Sequence, residues 1–474
     1  MNVLFAASEA RPFAVSGSLA EFAGALPKAL CAGGTDCRVI LPLYADIPQY
    51  LRDMMHFVTE FSVDHAGKNQ HCGLFSADYS GVTFYFVDNE YYYCRSGIYG
   101  HYDDGERFAF FSHAVLEAIP HLTDFRPDVI HCNDWATGLI PVYLTAFYHH
   151  DPLYSRIRTV YTIHNIQYQG SFELFAAGDI AGLPENKRTL IEYNGRCNFM
   201  KAGIDQSDAV STISPTYAGE VLDPWNAYGL DKVLMERKYK LAGILNGIDA
   251  ESYDPMNDPN IEKTYSEDDL SGKTADKMAL QKEIGLEQRP DVFLISVVCK
   301  LIDRKGVDLI KAVGEQLLDN MDIQLVVLGR GEAKYEDYFH RLQERYPGRV
   351  CAVTSYLPPL ARRIYAGADA LLMPSKTEPC GIAQMNALRY GTVPIARETG
   401  GLKDSVHDLT TPGGNGFTFR EYDAEELYRT VERAYETFQD KEKWEKLVSR
   451  AIRYDFSWHR TAAAYEQLYS VVLR

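Results

Sequence analysis

Short apolar runs recur from end to end of the chain, each followed by a polar loop and then by a segment with helical apolar spacing. Residues 2–7 predict a buried strand, and residues 8–18 a loop punctuated by Pro12 and Gly17. Residues 19–32 predict a helix whose Leu19, Phe22, Ala23, Leu26 and Leu30 share one face, and residues 37–41 supply the next strand. A βαβ opening of this kind implies a parallel, doubly wound sheet. Further strands are predicted at 128–131, 158–163 and 208–212, a helix at 106–119, and short β segments across 57–87.

A connection follows. Residues 245–249 read as a strand end and a turn, and residues 252–290 are polar, with Pro255, Pro259 and Pro290 and one helix around 275–284. A second alternating set starts at 292, with strands predicted at 292–298, 323–328, 370–373 and 392–396 and helices between them. Residues 457–473 form a final amphipathic helix. The fold class is therefore α/β, with two doubly wound units whose strand ends leave a cleft between them. At 474 residues the chain exceeds the size at which one core keeps growing, which agrees with two domains.

A net charge of −17 argues against nucleic acid or another polyanion as main ligand, while a neutral polymer stays compatible. The nine cysteines include no CxxC pair, so reduced thiols, a cytoplasmic location and no structural zinc are expected. The opening MNVLFAASEA lacks a basic region and enters a strand pattern at once, so it does not read as a signal peptide. No apolar run approaches the roughly 18 residues of a membrane span. No membrane partner is expected.

The chemistry concentrates in residues 371–406. Glu378 lies in the loop after a strand, where open α/β sheets bind ligands. The amides at Gly381 and Ile382 sit at a predicted helix start, which favours an anion. A carboxylate beside a bound phosphate is awkward unless it faces something neutral such as sugar hydroxyls, so the pair suggests a nucleotide-sugar site; an ordinary loop with a solvated Glu is the alternative. Lys300 and Lys305 suit a departing diphosphate, whose charge grows as the bond to the sugar breaks; solvated loop lysines are the plainer reading. His164 ends a strand in an Asn/Gln-rich loop suited to hydroxyl recognition, although a lone His is more often structural. The tyrosines at 91–93 fit packing better than sugar stacking.

Several chemistries lose support. Gly17 is followed by Ser18 and Leu19 rather than by the dinucleotide pattern, and Ser271-Gly272-Lys273-Thr274 lacks the P-loop glycine, with Glu267 in its place. No Asp-x-Asp, Gly-x-Ser-x-Gly or His-Glu-x-x-His occurs. No metal and no cofactor are expected.

Taken together, the stretches HCNDWATG (131–138), TIHNIQYQG (162–170), NFMKAG (198–203), SPTYA (214–218), LNGID (245–249) and DFSW (455–458) resemble bacterial glycogen synthases and plant starch synthases. The block Pro374-Ser375, Glu378-Pro379-Cys380-Gly381, Arg389-Tyr390-Gly391-Thr392 and Thr399-Gly400-Gly401-Leu402 resembles the signature of the same family. The resemblance implies two facing Rossmann-like domains of the GT-B type with a deep interdomain cleft. Residues 1–243, joined by a crossing helix at 456–474, would form the acceptor side, and residues 244–455 the nucleotide-sugar side. It implies retaining transfer of glucose from ADP-glucose, or UDP-glucose, to the non-reducing end of an α-1,4-glucan. Glu378 would face the sugar near the anomeric carbon, His164 would bind the transferred glucose, and Lys305 with Lys300 would hold the diphosphate. Donor contacts are implied at Gly17, Ser18, Glu21, Gly381, Ile382, Thr399, Gly400 and Gly401, and acceptor contacts at Asp134, Asn165 and Tyr168.

Two departures from the family pattern stand out. The family's Lys-x-Gly-Gly-Leu-x-Asp reads here Val15-Ser16-Gly17-Ser18-Leu19-Ala20-Glu21, and its usual Arg appears as Lys300. Lys in place of Arg gives up bidentate geometry. Arg11, in the same loop as Val15, is a candidate replacement cation. The altered loop keeps a second reading open, a degenerate paralogue that binds glucan or nucleotide as a regulatory protein.

Overall fold

Strand β1 (Asn2–Ala6) is almost entirely buried and pairs in parallel with a neighbour on each side. The apolar run that predicted it is therefore that of a central strand. In this computed structural model, which describes residues 1–355 and 357–474, the chain divides into two units. The first comprises residues 1–246 with 458–474, and the second residues 247–457.

In the first unit the strands continue as β2 (Asp36–Pro42), β3 (His56–His65), β4 (Lys68–Tyr79), β5 (Val82–Asp88), β6 (Val129–Asn133) and β7 (Arg158–Ile163). Next come three short strands, β8 (Ser171–Phe172), β9 (Glu192–Tyr193) and β10 (Arg196–Asn198), then β11 (Ala209–Thr212) and β12 (Leu241–Gly243). The nine-stranded sheet runs β12-β11-β7-β6-β1-β2-β5-β4-β3, and β8-β10-β9 forms a small separate sheet. Pairing is parallel from β12 to β5 and antiparallel through β4 and β3. The short β segments expected at 57–87 are in fact long strands of 10, 12 and 7 residues. On β3 the face bearing Thr59, Phe61, Val63 and His65 is partly or fully covered while Val58, Glu60, Ser62 and Asp64 are exposed, so the strand is half-buried but its apolar alternation is blurred by Thr59 and His65 on the covered side and Val58 on the exposed one.

The helix Trp458–Val472 packs against Ser18–Ala32 within this first unit. The Phe22 and Trp458 rings meet edge-on at 5.8 Å. The Tyr469 hydroxyl lies 2.7 Å from His131 Nδ1 on β6, so the last helix is pinned to the centre of the sheet.

The second unit holds β13 (Phe293–Val298), β14 (Ile323–Leu328), β15 (Val350–Val353), β16 (Ala370–Met373), β17 (Val393–Arg397) and β18 (Phe417–Phe419), all parallel. Their order, β15-β14-β13-β16-β17-β18, is the doubly wound 3-2-1-4-5-6 arrangement. The helix expected around 275–284 begins earlier, at Ser271, because two of its lysines point inward. Lys273 Nζ donates to the Ala366 and Tyr390 carbonyls at 3.0 Å, and Lys277 pairs with Asp369 at 2.6 Å. No helix among the described residues is long and apolar enough to cross a membrane.

Candidate active site

In an open doubly wound sheet the strand order reverses between the first and fourth strands, and the loops leaving those two strands diverge to open a crevice. In the second unit these are the loops after β13 and β16, and they carry Lys305 and Glu378. Gly306, at φ 73°, backs onto the Pro374 carbonyl, where a Cβ would come within 2.0 Å. The Lys376 amide donates to the Arg304 carbonyl at 2.9 Å, which ties the two loops together. Lys305 Nζ then lies 2.5 Å from Glu378 Oε2, and the Ser375 hydroxyl donates to the same oxygen at 3.1 Å. Both members of the pair are largely withdrawn from water. Lys300, one turn of loop earlier, is exposed.

The glycines behind Glu378 act through space rather than charge. A Cβ on Gly400, at φ 44°, would stand 2.0 Å from the Glu378 carbonyl oxygen, and one on Gly401 would stand 1.9 Å from that of Cys380. The Gly401 amide donates to the Glu378 carbonyl at 3.0 Å, so the Thr399-Gly400-Gly401 turn braces the acid loop from behind. Gly381 takes φ 71°, Ile382 precedes the helix Ala383–Arg389, and the Gln384 amide nitrogen ties back to the Cys380 and Gly381 carbonyls.

In the first unit the reversal falls between β1 and β6. The β1 loop contains a residue that sequence reading passed over. Glu9 is buried, and its Oε2 accepts from the Ser16 amide at 2.5 Å and the Gly17 amide at 3.1 Å. Its other oxygen lies 3.4 Å from the Tyr99 hydroxyl, which also meets Ser8 Oγ at 2.6 Å. Gly17 itself has an extended backbone, and a Cβ there would make ordinary contact with Glu9 at 3.7 Å. Its value is an open surface rather than a special conformation. Ser18 is exposed, Val15 is 46% exposed, and Glu21 forms an ion pair with Arg11 at 2.5 Å. The only advance signal for Glu9 was its place in the loop after the first strand.

The β6 and β7 loops join in the same unit. Asp134 has φ 54° and ψ −175°, a region that costs a non-glycine residue about 1–3 kcal/mol. Its carboxylate accepts from the His164 amide at 2.8 Å, which helps hold that conformation. Loss of surrounding water pushes its acid up to about 7, against the pull of the His164 and Asn165 amides. Burial pushes the His164 imidazole down to about 3, so it is neutral. The Asn133 amide nitrogen donates to the Ala6 carbonyl at 3.0 Å, which leaves Oδ1 to face His164 Nε2 at 2.9 Å. His164 must therefore donate through Nε2–H, and its Nδ1 keeps a lone pair. Asn165 and exposed Tyr168 continue this loop, with the Asn165 side chain accepting from the Gln167 amide at 3.1 Å.

Residues 2–236 match the starch synthase catalytic domain family, and residues 280–452 the glycosyl transferases group 1 family. A glycogen synthase from Bacillus cereus is 45% identical, with all of both chains covered. The chain belongs to the glycogen and starch synthase family. A glycogen synthase from Desulfitobacterium hafniense is also 45% identical, over 99% of this chain and 98% of its own. The catalytic domain of starch synthase IV from Arabidopsis thaliana, solved bound to ADP and acarbose, superposes with a TM-score of 0.88 at 33% identity, covering 100% of this chain and 99% of that one. The two α/β units with parallel sheets are thus those of a GT-B glycosyltransferase.

Proposed function

We propose that the protein moves glucose from ADP-glucose to the non-reducing end of an α-1,4-glucan, with retention at the anomeric carbon. The observation that carries this reading is the Lys305–Glu378 pair at the strand-order reversal of the second unit. An ammonium and a carboxylate 2.5 Å apart offer a diphosphate and its sugar two different neighbours: the cation meets the charge that grows on the leaving oxygen, and the acid meets the electron-poor sugar. Attack by the acceptor hydroxyl from the side of the leaving diphosphate would retain the configuration without a second acid. His164, neutral and held by Asn133, presents a lone pair suited to a sugar hydroxyl.

The test is incubation of purified protein with radiolabelled ADP-glucose or UDP-glucose and a maltooligosaccharide. Incorporation from ADP-glucose in preference to UDP-glucose is expected. One observation favours a second reading, a nucleotide- or glucan-binding paralogue: exposed Val15 stands where the family has a lysine. Binding of ADP with no incorporation from either donor would establish that paralogue and remove the synthase reading.

A further inference from the structure

At the edge of the first unit's sheet, separated from β1 by β2, β5 and β4, the last residue of β3, His65, lies against His113 of the helix Asp104–Ala118. Their Nδ1 atoms lie 3.4 Å apart. Both rings are buried, and His113 is fixed between Tyr143 and Phe147, at centroid distances of 4.9 and 5.8 Å.

The proton positions follow from the partners. The Tyr148 hydroxyl donates its single proton to the Glu117 carboxylate, so its oxygen can only accept from His113 Nε2, 2.8 Å away. A neutral His113 thus carries its proton on Nε2 and a lone pair on Nδ1. His65 Nε2 is buried with no hydrogen-bond partner, and the Ile180 carbonyl acts on the same ring. A carbonyl favours an N–H there and opposes a lone pair, which places the His65 lone pair on Nδ1 as well. Two lone pairs then face each other, an arrangement that a cation resolves. The separation suits one: nitrogens at 2.0–2.1 Å from a tetrahedral zinc ion stand about 3.3–3.4 Å apart.

We propose that His65 and His113 form a two-histidine site for a divalent transition metal of the zinc, nickel or copper class. Imidazole selects these ions, whereas magnesium and calcium prefer oxygen ligands. His113 has the outer partner typical of a ligating histidine, the Tyr148–Glu117 relay. No third His, Cys, Asp or Glu joins them among the described residues, so water completes the coordination. The adjoining cavity of about 200 Å³, bordered by Asp64, Gly67, Phe147 and Gly182, has room for it. Asp64 at the rim offsets part of the metal's charge. The metal would clamp the β3–β4 hairpin to the helix behind it.

The experiment titrates untagged, chelator-treated full-length protein with cobalt(II), whose d–d absorption reports ligand number and geometry. One equivalent should bind, zinc should displace it, and magnesium should not. His65→Ala and His113→Ala should each weaken cobalt binding at least tenfold, and Tyr148→Phe about tenfold or more through the outer partner. Zinc should raise the thermal midpoint of the parent and not of His65→Ala. Absence of cobalt binding in the parent, or equal binding in the parent and His65→Ala, overturns the proposal and leaves the imidazoles joined by a proton. His65 is buried but ends β3 beside the exposed residues 67–69, where the backbone can adjust, so its variant keeps the test open should His113→Ala fail to fold.

Discussion

Arg11 Nη2 and Glu21 Oε1 close an ion pair of 2.5 Å across the β1 loop, so the cation nearest in sequence to Val15 is held by the carboxylate that opens the first helix. Both side chains are about half exposed, and such a pair adds only about 0–1 kcal/mol to stability. Its consequence is positional: Arg11 answers to Glu21 rather than standing free beside Val15. We expect Val15→Lys to raise kcat/KM for the donor about tenfold or more, the worth of a charge-assisted hydrogen bond. Arg11→Ala should leave the donor KM within about twofold, because Glu21 already holds the guanidinium. Steady-state rates of glucosyl incorporation measure both, and an unchanged donor KM in Arg11→Ala would remove it as a replacement cation.

Glu378→Gln keeps the shape of the acid and removes its charge. Incorporation should fall at least about hundredfold, while the thermal midpoint drops less than in Lys305→Ala, because Lys305 at 18% exposure reaches water more readily than Glu378 at 8%. Lys305→Ala behaves differently. It strands a buried carboxylate at a cost of about 3 kcal/mol, so both turnover and the urea midpoint should drop. Equal turnover in the parent and Glu378→Gln would show that the acid has no part in transfer.

Glu9 is a positioning residue for the Gly17 loop. Glu9→Ala leaves the Ser16 and Gly17 amides without their acceptor, at a cost of about 1–3 kcal/mol. Amide hydrogen exchange at Ser16 and Gly17 should quicken, and Glu9→Gln should restore most of the protection. Unaltered exchange in Glu9→Ala would mean that the loop is held by other contacts.

His131 and His164 sit neutral inside the first unit, with burial holding His131 well below the usual imidazole range and His164 down at about 3. Their folded values lie below the unfolded ones, so the unfolded chain binds more protons, and stability should decline as pH falls below about 6.5. Asp134, raised to about 7, binds its proton more readily when folded and opposes that trend over the same interval. His65 and His113, each lowered to about 4 by burial, act in the same direction, so four imidazoles against Asp134 leave a net acid sensitivity. The urea midpoint should fall between pH 6.5 and pH 5, and the slope should lessen in His131→Gln, which removes the ring between Thr162 and Tyr469. Parallel pH curves for parent and variant would exclude this source.

Periodicity was enough for the parallel core. The runs at 158–163, 323–328 and 370–373 coincide with β7, β14 and β16, since strands buried on both faces write their position into apolar composition. The hairpin β3–β4 was less legible because Thr59 and His65 on the covered face of β3 and Val58 on its exposed face blur the alternation, and the helix at Ser271 was clipped because a buried lysine looks like a surface one until its carbonyl partners are known. Motif spacing located the loops bearing His164, Lys305 and Glu378, because strand ends bound those loops. It could not pair them: Lys305 and Glu378 are 73 residues apart, and Arg11 was free to be assigned to Val15 until Glu21 claimed it. Adjacency between distant loops depends on strand order, which hydrogen bonding between strands decides and local composition does not encode. By itself, then, the sequence determined most of the parallel strands and the loops at their ends to which the proposed chemistry is assigned. Only the folded chain decided that Lys305 faces Glu378, that Glu9 holds the Gly17 loop, and that His65 meets His113.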